Sequence, residues 1–98
     1  MSIRILLADD HTLVRAGIRS LLESIEGVEV VAESGDGREA LELIGKHRPD
    51  VALLDIAMPG LSGLEVAKRI EQASPKTRTI ILSMHADATH VREALRSG

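Results

Sequence analysis

A strict alternation between apolar runs and segments of helical periodicity limits the folds open to this chain more than any other feature. Residues 51–54 are Val, Ala, Leu and Leu, an unbroken apolar run. Such a run is typical of a parallel strand covered by helices on both faces, although a buried helix segment can show the same pattern. Further runs recur along the chain, and together they predict strands at residues 3–8, 28–34, 50–55 and 78–83.

Segments with a period near 3.6 residues follow these runs and predict helices at residues 12–25, 37–47, 63–73 and 87–97. This alternation predicts a doubly wound α/β fold, in which right-handed crossovers join parallel strands. Residues 28–34 alternate apolar and polar side chains, which indicates a strand at the edge of the sheet. The residues predicted to face the sheet are Val14, Ile18, Leu21, Leu22 and Ile25 in the first helix, Ala40, Leu41 and Ile44 in the second, and Leu64, Ala67 and Ile70 in the third.

The composition narrows the class of protein. The 98 residues suffice for one small domain with a single core, and 44% of them are hydrophobic. Cysteine is absent, so the sequence offers neither a disulfide nor a thiolate metal site. The net charge of −3, without a block of Lys or Arg, argues against nucleic-acid binding by this segment. The sequence shows neither a signal peptide nor a run long enough to span a membrane, and we therefore expect a cytoplasmic location.

Polar side chains follow three of the predicted strands at the point where each strand ends. Asp9 and Asp10 come directly after the first strand, Asp55 ends the third, and Ser83 ends the fourth. Because the carboxyl ends of parallel strands meet at one edge of a sheet, we expect these side chains to converge. Two carboxylates about 4 Å apart repel by about 4 kcal/mol at an effective dielectric of about 20. Clustered oxygen ligands therefore predict a hard cation, Mg²⁺ first and Mn²⁺ next.

Each of these residues also has a purely structural interpretation. Asp9 or Asp10 could cap the first helix, and an isolated Asp55 could cap the loop that follows it. Ser83 alone could be a turn residue at the end of a strand. His11 lies beside the acids in the sequence, and we expect it to face solvent, since a histidine seldom joins a set of hard oxygen ligands.

Several motifs of the chain resemble the receiver domain of bacterial two-component response regulators. They are L-L-A-D-D-H at residues 6–11, P-D-V-A-L-L-D-I-A-M-P-G at residues 49–60 and T-I-I-L-S-M-H at residues 79–85. The run L-V-R-A-G-I-R-S-L-L at residues 13–22 is similar to the NarL/FixJ subgroup, whose receivers precede a helix-turn-helix output domain. The resemblance implies a flavodoxin-like sheet of strand order 2-1-3-4-5.

The resemblance also implies a role for each polar residue at the sheet edge. Asp55 would accept a phosphoryl group from the phosphohistidine of a sensor histidine kinase. Asp10, Asp55 and the backbone carbonyl of Ala57 would bind Mg²⁺ directly, whereas Asp9 would act through a metal-bound water. Ser83 would bind a phosphoryl oxygen and couple phosphorylation to a change of the surrounding surface. Two further residues, Met84 and His85, would border the pocket.

The chain departs from the family pattern at its C-terminal end. A complete receiver continues into a fifth strand with a Lys at its end and a fifth helix, whereas this sequence stops at Gly98. We therefore expect a receiver truncated before the fifth strand, with a sheet of order 2-1-3-4. The fourth strand would then be an apolar sheet edge that invites pairing with a second copy, so a homodimer is one expected state.

Three classes of function fit the acidic cluster. The resemblance favours a phosphoacceptor that switches a transcriptional, DNA-binding output and is not an enzyme beyond its own phosphorylation and dephosphorylation. Mg²⁺-dependent phosphotransferases or phosphatases also gather acids at parallel strand ends, but they turn over an external substrate. A degenerate receiver that only binds other proteins is the third alternative.

Overall fold

Parallel strands and helices alternate throughout residues 2–82, the part of the chain that the computed structural model describes. Within that part the strands form one sheet of order β2-β1-β3-β4, and all its neighbouring strands are parallel. The predicted doubly wound α/β class and the order 2-1-3-4 are therefore confirmed. The elements are β1 Ile3–Ala8, α1 Thr12–Glu23, β2 Val28–Ser34, α2 Gly37–His47, β3 Val51–Asp55, α3 Gly63–Ala73 and β4 Arg78–Leu82.

Some observed bounds differ from the predicted ones. Helix α1 ends at Glu23 instead of residue 25, because the chain turns through Gly27, whose φ of 84° is left-handed. Strand β3 begins at Val51, one residue after the predicted start. Leu82 is the last described residue of β4, so Ser83 and the helix predicted at residues 87–97 lie outside the described residues.

Alternate residues of the strands face opposite sides of the sheet and form two apolar clusters. One side packs under α2 and α3, and the other packs under α1. This two-sided cover explains why β1 and β3 are apolar without alternation. The first cluster contains Leu6, Ala8, Ala40, Ile44, Ala52, Leu54, Val66 and Ile70, and the second contains Ile5, Leu7, Leu22, Leu53, Ile80 and Leu82.

The predicted inward face of α3 is wrong at one position. Leu64 is exposed, whereas Val66 and Ile70 are buried against the sheet. Ser62 caps the helix by accepting the Glu65 N–H, so α3 begins at Gly63. Residues two apart lie on nearly opposite sides of a helix, and a helix that buries Val66 must therefore expose Leu64.

The predicted inward face of α1 is also too broad. Leu22 is buried and Ile18 is half-buried, but Val14, Leu21 and Ile25 are exposed. The periodicity identified an apolar arc on this helix correctly. The sheet covers only part of that arc. The sequence pattern does not show how many of the apolar side chains the sheet buries.

Strand pairing decides which residues meet at the carboxyl edge of the sheet. In the register between β1 and β3, Ala8 lies beside Leu54. The residue after each of these two is an aspartate, so Asp9 and Asp55 lie next to each other at the carboxyl edge of the sheet. Among the described residues, no helix is both long and apolar enough to cross a membrane.

Candidate metal centre

The predicted acids do come together at the carboxyl edge of the sheet. Asp9 is buried after β1, Asp55 is buried at the end of β3, and Asp10 is exposed at the rim. One ligand atom from each of Asp9, Asp10, His11 and Asp55 lies within 4.8 Å of all the others. A single ion together with its bound waters could bridge all four side chains.

His11 belongs to this cluster and still faces solvent in part, since its side chain is 41% exposed. The expectation that it faces solvent is therefore only partly met. Its Nδ1 lies 3.0 Å from an oxygen of Asp9, 3.0 Å from an oxygen of Asp10 and 3.7 Å from Oδ2 of Asp55. The hydrogen bond to Asp9 raises the pKa of His11, the partial loss of solvent opposes this, and the charge of Asp10 adds to the rise. The imidazole therefore stands where a cation would relieve the repulsion between the acids.

Asp55 Oδ2 lacks a hydrogen-bond partner, which sets it apart among the buried side-chain atoms of residues 2–82. Its contact of 3.7 Å with His11 is too long for a hydrogen bond. Burial raises the pKa of Asp55, and the carboxylates of Asp9 and Asp10 raise it further. The charge of His11 and a backbone hydrogen bond from Ala57 act in the opposite direction. An unpaired buried carboxylate oxygen is costly, and a bound cation would satisfy it.

Hydrogen bonds of its N–H, its carbonyl and its side chain fix the position of Asp9. Its N–H donates to the Ser34 carbonyl of β2 at 3.0 Å, and its carbonyl accepts Nη1 of Arg15 at 2.7 Å. Its side-chain Oδ1 accepts the His11 N–H at 2.8 Å, an Asx turn. The alternative interpretation, in which Asp9 or Asp10 caps α1, is wrong because the N-cap residue is His11. Within the described residues, the His11 side chain makes no capping hydrogen bond.

Arg15 is a supporting residue of the site that the sequence alone did not reveal. Its Nε donates to Glu33 of β2 at 3.0 Å while its Nη1 holds the Asp9 carbonyl. Arg19 on the next turn of α1 also pairs with Glu33. Arg15 follows His11 by four residues, and this spacing was the available signal that it returns to the first turn of the helix.

The loop after β3 is held tightly where it enters α3. The Ile56 N–H donates to the Leu82 carbonyl at 3.1 Å, and the Gly63 N–H donates to the Ile56 carbonyl at 2.9 Å. A Cβ at Gly63 would overlap the carbonyl oxygen of Asp55. Only glycine fits at this position, because the start of α3 packs directly against the backbone at the end of β3. Ala57 lies in this loop as an exposed residue.

The same loop is attached to the start of α2. The Gly37 N–H donates to the Pro59 carbonyl at 2.9 Å, and a Cβ at Gly37 would overlap the Leu61 carbonyl. Gly60 has a φ of 81°, a left-handed conformation that glycine adopts without strain. The turn at Pro59 and Gly60 thus also forms the contact between the loop and α2.

The donor set at this edge fits a divalent cation. Three carboxylates supply hard oxygen ligands, and the orphaned Oδ2 of Asp55 points to a partner with positive charge. Mutual repulsion of the acids would fall on binding. The phosphoryl-binding and pocket residues of the prediction, Ser83, Met84 and His85, lie outside the described residues.

A family model and the known relatives of this chain point to the same protein family. A family model described as the response regulator receiver domain matches residues 5–98. The chain is 40% identical over 96 residues to the transcriptional regulatory protein DegU of Brevibacillus brevis, a match that covers 98% of this chain and 41% of that protein. The chain therefore spans about two-fifths of the length of this curated relative.

Solved structures agree with the sequence matches. The signal receiver domain of the response regulator NarL from Mycobacterium tuberculosis has a TM-score of 0.82 at 42% identity, covering 99% of this chain and 78% of that one. A chain of the CheX–CheY–BeF3–Mg²⁺ complex from Borrelia burgdorferi has a TM-score of 0.78 at 26% identity, covering 98% of this chain and 72% of that one.

Proposed function

The chain belongs to the response regulator receiver domain family, and from this premise we propose that Asp55 is its phosphoacceptor. The observation that carries the proposal is the environment of that side chain. Asp55 is only 2% exposed at the end of a central strand, and its Oδ2 faces the cluster without a hydrogen-bond partner. A nucleophilic carboxylate must keep lone pairs that no protein donor occupies, and Oδ2 of Asp55 accepts no hydrogen bond.

The proposed donor is the phosphohistidine of a sensor histidine kinase. A carboxylate oxygen of Asp55 attacks phosphorus while the bond between phosphorus and the kinase imidazole nitrogen breaks. The bonding electron pair stays with that nitrogen, which takes a proton from solvent, and an acyl phosphate forms on Asp55. Burial at the end of β3, between β1 and β4, and the hydrogen-bonded loop that follows hold the nucleophile in one orientation.

The proposed cofactor is Mg²⁺, with Mn²⁺ as the second choice. Asp10, Asp55 and the carbonyl of Ala57 would hold it directly, and Asp9 would act through a water. When bound, the ion neutralises charge that develops on the transferring phosphoryl group. The support for this assignment is the acidic cluster itself together with the orphaned oxygen of Asp55.

We assign the switch to Ser83, whose hydroxyl would bind a phosphoryl oxygen and change the adjoining surface. Met84 and His85 would border the pocket. Leu82, directly before Ser83, accepts the N–H of Ile56, so the backbone leading to Ser83 starts beside the loop that follows Asp55. This placement supports the assignment for Ser83.

The output of the switch lies in the parent protein. The chain covers 41% of DegU, whose name describes a transcriptional regulatory protein. We infer that a helix-turn-helix, DNA-binding domain follows this segment in the parent protein, in the cytoplasm, and that phosphorylation of Asp55 regulates it. The receiver segment itself makes no direct contact with nucleic acid in this proposal.

Incubation with acetyl phosphate and Mg²⁺, followed by intact mass measurement, tests the assignment. One base-labile phosphoryl group should be added to the wild-type chain and none to Asp55→Asn. Asp50→Asn is the matched control, because Asp50 directly precedes β3 at the opposite end from Asp55 and its substitution should leave the reaction unchanged. Incorporation that persists in Asp55→Asn would overturn the assignment.

The same experiment separates the alternative functions. Repeated hydrolysis of a phosphomonoester by the wild-type chain would indicate a metal-dependent enzyme instead. A wild-type chain that takes up no phosphoryl group at saturating Mg²⁺ would indicate a module that only binds proteins.

A further inference from the structure

We propose that His11 supplies a nitrogen ligand to the metal site through Nδ1. This ligand shifts the selectivity of the site away from Mg²⁺ and toward first-row transition-metal ions such as Co²⁺. The proposal rests on the metal site of the proposed function and adds a ligand that the acids and the Ala57 carbonyl do not include. Imidazole nitrogen favours transition metals, whereas Mg²⁺ prefers oxygen ligands and retained waters.

The distances between His11 and the acids match those between neighbouring ligands of one ion. In an octahedral site with bonds of about 2.1 Å, adjacent ligand atoms lie about 3.0 Å apart. Nδ1 of His11 lies 3.0 Å from Oδ1 of Asp10, a proposed direct ligand, and is hydrogen-bonded to Oδ1 of Asp9 at 3.0 Å. Its separation of 3.7 Å from Oδ2 of Asp55 is somewhat longer than that of adjacent ligands. An ion bound by Asp10 and Asp55 would therefore lie within reach of Nδ1, which would exchange its hydrogen bond to Asp9 for the ion.

The backbone holds His11 in this position. The His11 N–H donates to Asp9 Oδ1 at 2.8 Å, and its carbonyl accepts the Arg15 N–H at 2.8 Å as the first bond of α1. Arg15 in turn binds the Asp9 carbonyl at 2.7 Å. Both the N–H and the carbonyl of His11 are thus hydrogen-bonded, which fixes the backbone from which the ring extends beside the acids.

Asp55 provides the second and independent indication of a ligand. Its side chain is 3% exposed, and its orphaned Oδ2 faces Nδ1 of His11 across a gap that no hydrogen bond bridges. An ion between the two atoms would satisfy both the carboxylate oxygen and the ring nitrogen. Nδ1 hydrogen-bonds Asp9 and leaves this oxygen of Asp55 unpaired.

Isothermal titration of the metal-free chain with Co²⁺ and separately with Mg²⁺, at one pH, tests the proposal. His11→Ala removes the ligand, and His11→Asn removes it while keeping a residue that is well suited to a helix N-cap. We expect both variants to lose Co²⁺ affinity by about 10-fold or more, since even the outer partners of metal ligands contribute 10–100-fold. The loss for Mg²⁺ should be smaller, because water can replace nitrogen around a hard ion.

A matched control and a spectroscopic measurement complete the test. His47→Ala changes a half-buried histidine at the end of α2, outside the cluster, and should leave the ratio of the two affinities unchanged. Proton NMR of the Co²⁺-loaded wild-type chain should show strongly shifted imidazole signals that both His11 variants lack. An equal change in the two affinities, or tighter binding of both ions by His11→Ala, would mean that the ring only competes with the ion and would overturn the proposal.

The outcome is separable from that of the proposed function. Phosphorylation of the wild-type chain on Asp55 tests the phosphoacceptor, whereas the Co²⁺ to Mg²⁺ affinity ratio of the variants tests the nitrogen ligand. Wild-type phosphorylation together with an unchanged ratio would reject only the ligand. A changed ratio without wild-type phosphorylation would reject only the phosphoacceptor.

Discussion

At the scale of single residues, Asp55 combines burial with like charge. Its carboxylate is almost fully enclosed, and both burial and the neighbouring Asp9 and Asp10 raise its pKa. The folded chain therefore binds the Asp55 proton more tightly than the unfolded chain does. Because of this difference, the free energy of unfolding falls as the pH rises from the ordinary carboxyl range through the raised pKa.

We predict that Asp55→Asn stabilises the metal-free chain at neutral pH. The amide does not titrate, so it removes the desolvated charge and the repulsion from Asp9 and Asp10. The midpoint of thermal unfolding should rise by at least about 4 °C, the shift that 1 kcal/mol produces in a domain of this size. The gap between variant and wild type should close on acidification, where Asp55 is protonated in both states. Thermal melts in chelator across this pH range measure it.

The control for this prediction is Glu42→Gln, which removes a charge from the exposed face of α2 and should change stability by no more than about 0.5 kcal/mol. Saturating Mg²⁺ should narrow the gap, because an ion that binds only the folded wild-type chain stabilises it. A loss of stability in metal-free Asp55→Asn would show that the carboxylate is a structural cap.

At the scale of secondary structure, α1 is attached to the sheet by a narrow stripe. Leu22 is 4% exposed, whereas its neighbour Leu21 is 68% exposed. Apolar side chains on the same helix therefore contribute very differently to stability, although the sequence pattern treats them alike. Val14 and Leu13 are exposed in the same way.

We predict that Leu22→Ala destabilises the chain by about 2–5 kcal/mol, as expected for a buried leucine. Leu21→Ala should change stability by no more than about 0.5 kcal/mol, because the side chain is in contact with solvent. Urea titrations of the two variants against the wild type measure the difference. An equal cost at the two positions would contradict the exposure of the outer face of α1.

Two glycines of α2 provide a matched pair for the contact between that helix and the loop after β3. A Cβ at Gly37 would overlap the Leu61 carbonyl, whereas nothing lies within 4 Å of a Cβ at Gly45. Both residues belong to the same helix and neither has a positive φ. Their difference is therefore one of space alone.

We predict opposite signs for the two substitutions. Gly45→Ala should stabilise the chain by about 0.5–1 kcal/mol, because alanine favours the helix interior. Gly37→Ala should destabilise it and weaken Mg²⁺ binding, since the loop that carries Ala57 must move. Calorimetric titration and chemical unfolding of both variants provide the measurement. Unchanged Mg²⁺ affinity in Gly37→Ala would show that the loop contact does not support the metal site.

At the scale of the whole molecule, the edges of the sheet matter most. Within residues 2–82, β2 pairs only with β1, and β4 pairs only with β3. Strand β2 alternates polar and apolar residues, but β4 contains Ile80, Ile81 and Leu82 in succession. As far as residues 2–82 show, β4 is an apolar strand at the edge of the sheet, and an apolar edge strand favours pairing with another chain.

We predict that the isolated 98-residue chain self-associates. The midpoint of thermal unfolding should rise with protein concentration, because association stabilises the folded state by mass action. Sedimentation velocity over the same concentration range should show a growing share of dimer. A monomer whose unfolding midpoint is independent of concentration would contradict this prediction.

The sequence by itself determined the number and order of the described strands and the meeting of Asp9, Asp10 and Asp55. The number of strands follows from local periodicity, and the meeting of the acids follows from the rule that parallel strands joined by helices present their carboxyl ends at one edge. The order of the strands followed from the resemblance of the sequence motifs to the receiver family. The acids needed no side-chain detail, because each one immediately follows a predicted strand or ends it.

Only the tertiary structure decided the place of His11, the buried faces of α1 and α3, and the close approaches at Gly37 and Gly63. The position of the His11 ring depends on the backbone at the start of α1 and on the hydrogen bonds that hold Asp9. One of those bonds joins Asp9 to β2. Periodicity describes one helix at a time and does not say which part of an apolar arc the sheet covers. Contacts between segments far apart in sequence, such as Gly37 with Leu61, exist only once the layers have packed.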